Sequence, residues 1–149
     1  MTTTTPTTDT TEDVSSRTPL ATIQSVYEAF GRGDIEGILS HLHPEVDWGT
    51  QVDAPGAELV PMFRNGTGHA AALHYFGGVA ALQFHAFVPT RFLTDGDLVY
   101  VDLDLDLEHT ATGKRARIGE VHRFVVRDGL IVEYRNYLDT ATMIELHRP

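Results

Sequence analysis

The 149-residue chain contains no cysteine. That excludes disulfide staples and thiolate chemistry, so the fold rests on its hydrophobic core. No apolar run is long enough to span a bilayer. A formal charge of -10 argues against nucleic-acid and anionic-membrane partners, because both want clustered Lys and Arg. There is no glycine-rich phosphate loop and no Gly-x-Ser-x-Gly elbow. Neither a nucleotide nor a covalent nucleophile is indicated, and no cofactor is expected. Residues 1–17 have almost nothing to bury and lack the basic start and apolar centre of a signal peptide. They read as a disordered Thr-rich tail before one domain, 18–149, of a cytoplasmic protein.

What is present is organised around residues 118–138, two β-rich runs separated by Asp128-Gly129. A two-residue loop would set Ile131, Glu133 and Arg135 on the side of Phe124 and Val126, burying charges. A three-residue loop, Arg127 to Gly129, pairs Val126 with Leu130 and Phe124 with Val132 instead. In that register one face carries Ile118, Glu120, His122, Phe124 and Val126 beside Val132, Tyr134, Asn136 and Leu138. Glu120 then lies across from Asn136, and His122 across from Tyr134. The other face collects Arg117, Arg123, Arg127, Glu133 and Arg135. A carboxylate and an imidazole on an apolar face cost about 1–3 kcal/mol each even when partly satisfied, so the patch needs a reason.

Upstream, Thr18-Pro19 starts a helix carrying Ile23, Val26, Tyr27 and Phe30 at helical spacing. Asp34 caps a second helix with Ile35, Ile38, Leu39 and Leu42 on one side, ended by His43-Pro44. A short strand at 46–50 leads to a Pro- and Gly-rich connection, 51–67, expected as a mobile rim or lid. An alanine-rich helix, Gly68–Val79, precedes strands at 83–93 and Leu98–His109, and a helix at Thr140–His147 ends the chain. In Leu98–His109, Val99, Val101, Leu103, Leu105 and Leu107 alternate with Asp102, Asp104, Asp106 and Glu108. The carboxylate row is read as sheet surface paired with the arginines of the next strand rather than as a metal site. The remaining histidines do not form a metal set either. The expected fold class is α+β: three N-terminal helices packed on a curved, mainly antiparallel sheet, a cone enclosing a pocket.

Three stretches, 27–38, His43-Pro44-Glu45-Val46-Asp47-Trp48 and 124–139, resemble the nuclear transport factor 2-like superfamily, in particular its SnoaL-like enzymes. The resemblance covers nearly everything after residue 18. It implies the cone fold and a homodimer through the outer sheet face. It is weak for reaction, because the superfamily hosts cyclases, isomerases, dehydratases, epoxide hydrolases and non-catalytic binders. His122 matches the histidine of the polyketide cyclases, but their acid-base aspartate falls at Asn136, and an amide cannot take a proton at neutral pH. The catalytic Arg and Asp of limonene-type epoxide hydrolases fall at Leu103 and Leu105, which disfavours that route. The ketosteroid isomerase base maps near Thr50, and its helix-one tyrosine near Val26.

The catalytic candidates are Glu120, His122, Tyr134 and Asn136. Glu120 stands in for the missing aspartate as general base, with Leu105 and Phe124 around it, and His122 assists. Tyr134 and Asn136 donate to a carbonyl or enolate oxygen. The structural alternatives are an edge Glu120 paired with arginine, a neutral core His122 bonded to Tyr134, and an Asn136 that only satisfies Glu120. Trp48 and Thr50 from the short strand, Tyr27 and Phe30 from the first helix, and Leu103, Leu105, Ile118, Phe124, Leu138 and His85 from the sheet are expected to line the substrate pocket. The function these residues point to is cofactor-independent acid-base chemistry on a hydrophobic, carbonyl-bearing small molecule: aldol-type cyclisation, isomerisation or dehydration. The alternative is a non-catalytic binding or assembly module.

Overall fold

Capping chemistry sets the first helices. In the computed structural model, which describes residues 17–50 and 55–149, the Thr18 hydroxyl accepts from the Ala21 amide at 3.1 Å and starts α1, Pro19–Gly31. Proline in the first turn sacrifices no helical hydrogen bond. Asp34 accepts from the Gly37 amide at 2.9 Å and starts α2, Ile35–Leu39. This helix is shorter than expected, since Leu42 already opens β1, Leu42–Thr50. Pro44, expected as a helix stop, lies in an irregular stretch of that strand, where no ladder bond is asked of it.

The connection after β1 is a wall rather than a lid over its described part. A 3-10 turn, Pro61–Phe63, and the short strand β2, Gly66–Thr67, lead into α3, Gly68–Val79. Val60, Met62 and Phe63 are buried in the core. The expected tail, up to residue 16, and positions 51–54 of the connection lie outside the described residues.

Four long strands follow: β3 (Leu82–Asp95), β4 (Leu98–His109), β5 (Arg115–Arg127) and β6 (Leu130–Leu138), then α4, Thr140–His147. The order across the sheet is β2-β1-β6-β5-β4-β3. Neighbours are antiparallel except β1 and β6, which run parallel. The helices pack on one face of this curved, open sheet, giving the α+β cone. Val99, Val101, Leu103, Leu105 and Leu107 of β4 are at most 3% exposed. On the opposite face Arg115 grips Asp106 with two bonds of 2.8 and 2.9 Å. Among the described residues, no three His, Asp or Glu side chains are grouped to hold a metal ion, and no helix is long and apolar enough to cross a membrane.

The β5–β6 hairpin corrects the expected register. Arg127 pairs with Leu130, so the loop has two residues, Asp128 (φ 52°) and Gly129 (φ 76°). Both sit in the left-handed region that such a tight turn requires. Val126 then faces Ile131, and the pairing slips one residue further on, where Val125 meets Glu133. Val132 is the extra residue of this bulge. The slip restores the inward face: Phe124 opposes Tyr134, His122 opposes Asn136, and Glu120 opposes Leu138. The predicted cross-strand pairs are therefore shifted by one residue at Val126 and by two from Phe124 to Glu120, while the set of inward residues from Tyr134 onward is the predicted one.

Candidate active site

Glu120 and His122, two residues apart on β5, point to one side as strand alternation demands. Their side chains meet, His122 Nε2 to Glu120 Oε2 at 3.0 Å. The other ring nitrogen, Nδ1, lies 2.6 Å from the hydroxyl of Tyr27 on α1. A carboxylate can only accept, so with Glu120 ionised the imidazole proton sits on Nε2 and Nδ1 accepts from Tyr27. Tyr27, His122 and Glu120 thus form one directed chain, of the kind in which an acid fixes the tautomer of a histidine. Glu120 and His122 are each 7% exposed. Glu120's side-chain partner is this histidine, not an arginine, and His122 touches Tyr134 only ring to ring, centroids 5.4 Å apart.

A second cluster stands beside the first. The hydroxyls of Tyr75, on α3, and Tyr134, on β6, are 2.8 Å apart. The Asn136 amide nitrogen donates to the Tyr75 oxygen at 3.1 Å, so Asn136 does not serve to satisfy Glu120. Trp48 of β1 is set opposite Tyr134 by the parallel β1–β6 pairing, with ring centroids at 4.2 Å. Burial, first of all, raises the pKa values of Tyr27, Tyr75 and Tyr134 well above the ordinary tyrosine value, and the charge of Glu120 adds to each. All three phenols therefore keep their protons throughout the physiological range.

Both clusters open on one largely apolar cavity of about 60 Å³, lined by Trp48, Tyr75, Glu120, His122, Tyr134 and Asn136 together with Tyr27, Phe30, Phe124 and other apolar side chains. A ring of half-buried phenylalanines, Phe30 and Phe76 from the helices with Phe84 and Phe87 from β3, surrounds it. Phe30 and Phe87 are in contact, centroids 5.0 Å apart. The space holds a few waters and is smaller than ordinary ligand pockets of roughly 300–1,000 Å³. A ring-sized ligand must therefore turn some of these side chains aside.

Six of the expected lining residues are elsewhere. Leu103, Leu105 and Ile118 are buried in the core beyond the cavity wall. Leu138 packs half-buried at the core's edge, opposite Glu120. Thr50 is also buried, and its amide and hydroxyl turn to Asn65 Oδ1 at 2.8 and 3.2 Å. That approach depends on Gly49, where a Cβ would come within 2.0 Å of Asn65 Oδ1. His85 is the extra residue of a β3 bulge and turns to Glu108 at 3.1 Å. The same bulge breaks strict alternation, so that Phe84 and Phe87 both reach the cavity.

Tyr75 is a polar cavity-lining side chain that the sequence did not single out. Its signal was the helical spacing of Ala71, Ala72, Tyr75 and Val79, which turns Tyr75 toward the sheet.

Residues 23–134 match the SnoaL-like domain family, and the chain belongs to it. Among solved structures, an NTF2-like protein of unknown function from Burkholderia pseudomallei is 25% identical, with a TM-score of 0.76 over 88% of this chain and 98% of that one. TerC, co-crystallised with polyporic acid, is 28% identical, with a TM-score of 0.73 over 86% and 96%. An LEH-like epoxide hydrolase from M. tuberculosis shares the fold at 18% identity, with a TM-score of 0.63 over 87% and 88%. No curated protein matches the chain.

Proposed function

We propose that the chain is a cofactor-independent enzyme that removes a proton from carbon beside the carbonyl of a hydrophobic small molecule. The observation that carries this reading is the buried Tyr27, His122 and Glu120 chain opening on an apolar cavity. His122 holds one oxygen of Glu120 and leaves the carboxylate as base. Of the phenols of Tyr75 and Tyr134, still protonated, one donates to the other and the one left with a spare proton donates to the carbonyl oxygen, where negative charge would develop. Proton return at another position gives isomerisation; attack of the enolate on a second carbonyl gives aldol-type cyclisation; loss of a β-hydroxyl gives dehydration. Polyporic acid in the similar TerC structure supports an aromatic ligand. Buried leucines at 103 and 105 speak against epoxide opening by the limonene-type machinery.

The test is deuterium exchange at the α-carbon of 2-indanone, a small ketone with acidic α-protons, followed by NMR in deuterated buffer. Wild type should accelerate exchange over buffer, and Glu120→Gln should lower that acceleration by about 10²–10⁴-fold. An unaccelerated wild type, or Glu120→Gln and His122→Ala variants exchanging at the wild-type rate, would sink the reading. The module alternative draws on Asn136 in the place of the family's acid-base aspartate, and it predicts ligand binding without exchange. We further propose a homodimer through the outer sheet face, where Val88 and Tyr137 are exposed.

A further inference from the structure

The Tyr75, Tyr134 and Asn136 cluster does not balance its own protons. Two phenols carry two protons, and the 2.8 Å bond between them uses one. If Tyr75 donates to Tyr134, the Tyr134 proton is left over. If Tyr134 donates, the Tyr75 proton is, because the Asn136 nitrogen at 3.1 Å can only give to that oxygen. Two neighbouring atoms are also unmatched: the Trp48 indole N–H and the Asn136 Oδ1 are both buried with no partner among the described residues. A buried donor or acceptor left unmade is costly. All four side chains line the same cavity, and Trp48 and Asn136 flank Tyr134, one across the strand pair and the other along it. The cavity thus offers two unspent donors, one phenol and one indole, and one unspent acceptor.

We infer that the ligand is a ring-bearing ketone that also carries a free hydroxyl, with its carbonyl oxygen accepting from Trp48 and the surplus phenol and its hydroxyl donating to Asn136 Oδ1. This deepens the proposed function, on whose reading of the cavity as the substrate site it rests. Asn136 becomes a specificity residue: an aspartate would be an acid-base group, whereas an amide with its nitrogen engaged shows the ligand an uncharged acceptor. The reverse amide orientation would spend both phenol protons and show the ligand donors alone.

The experiment compares indane, 2-indanone, and the 4- and 5-fluoro and 4- and 5-hydroxy derivatives of 2-indanone, by calorimetry and by the indole N–H resonance. The chain has one tryptophan, so that resonance belongs to Trp48. The ketones should move it and indane should not. One hydroxy isomer should bind about tenfold tighter than its fluoro counterpart, which matches it in size but cannot donate, and Asn136→Leu should erase that ratio. Equal binding of hydroxy and fluoro ligands by wild type would overturn the proposal, whether or not the variant folds. So would an indole resonance that ignores the ketone. Hydroxyl preference without α-proton exchange would refute the catalytic reading and leave this site standing; exchange without the preference would do the reverse.

Discussion

His122 has both ring nitrogens engaged, so Tyr27 decides whether that ring is held or free to turn. In Tyr27→Phe the ring should keep its packing on Phe87, Phe92 and Phe124, and only the 2.6 Å bond is lost. One hydrogen bond is worth about 1 kcal/mol, or about 2–4 °C in a chain of this size. A thermal melt should show that small shift, while α-proton exchange falls about tenfold or more. A variant with wild-type exchange would remove Tyr27 from the mechanism. Glu120, His122, Tyr134 and Asn136 were legible from strand alternation alone, since polar side chains on a buried face stand out against it. Tyr75 was not, because an aromatic on a helix's apolar stripe looks the same whether it fills the core or donates into a cavity. Nor could alternation reveal that His85 turns outward, since one extra residue in β3 resets the pattern.

At the scale of the element, the β5–β6 hairpin sets the site through two compensating irregularities. Its turn holds Gly129 at φ 76°, where a side chain costs about 1 kcal/mol. Gly129→Ala should lower the unfolding free energy by that amount, moving the urea midpoint down without changing the slope of the transition. The bulge has a sharper consequence. Deleting Val132 removes the extra residue and leaves Ile131 facing Val126 and Tyr134 facing Phe124, so strict alternation then keeps Tyr134 and Asn136 inward. We expect that deletion to keep a cooperative melt, and a broad, non-cooperative transition would show that Val132 does more than absorb the mismatch. The hydrophobic pattern told which face each strand buries, and the wrong loop length still led to the right face. Pattern specifies facing; it does not locate the residue that absorbs a mismatch. Helix starts were legible because Thr18 and Asp34 act locally, whereas the end of α2 was decided by β1 joining the sheet.

For the whole molecule, the overall architecture was readable from element order and family resemblance, and the narrowness of the cavity was not, since it depends on how phenylalanines from four elements meet. The acid response can be worked out from the structure. Burial lowers the pKa of His109 and of His41 below 6.5, with the nearby His147 and Arg17 respectively adding to the shift. A histidine held neutral in the fold binds protons more readily when unfolded, so its contribution is full above pH 6.5 and is lost as pH falls below it. Asp139 and Glu145, bonded to Thr142 and Lys114, are shifted down; their contributions persist until the pH drops below the ordinary carboxylate range. The melting temperature should fall from pH 7.5 to pH 5.5, and less steeply in His109→Gln. A flat profile over that interval would contradict the assignment. Light scattering should give the mass of a dimer, and Tyr137→Arg, on the outer face, should shift it toward one chain.

The parallel partnership of β1 and β6 brings residue 48 beside residue 134, joining early and late parts of the chain. No stretch emerging from a ribosome can complete the pocket until β6 has been made, and nascent chains stopped at about residue 129 should bind none of the indanones. Such long-range closure is also slow, leaving an interval in which Trp48 waits without its neighbour and a chaperone or an aggregating copy could reach it first.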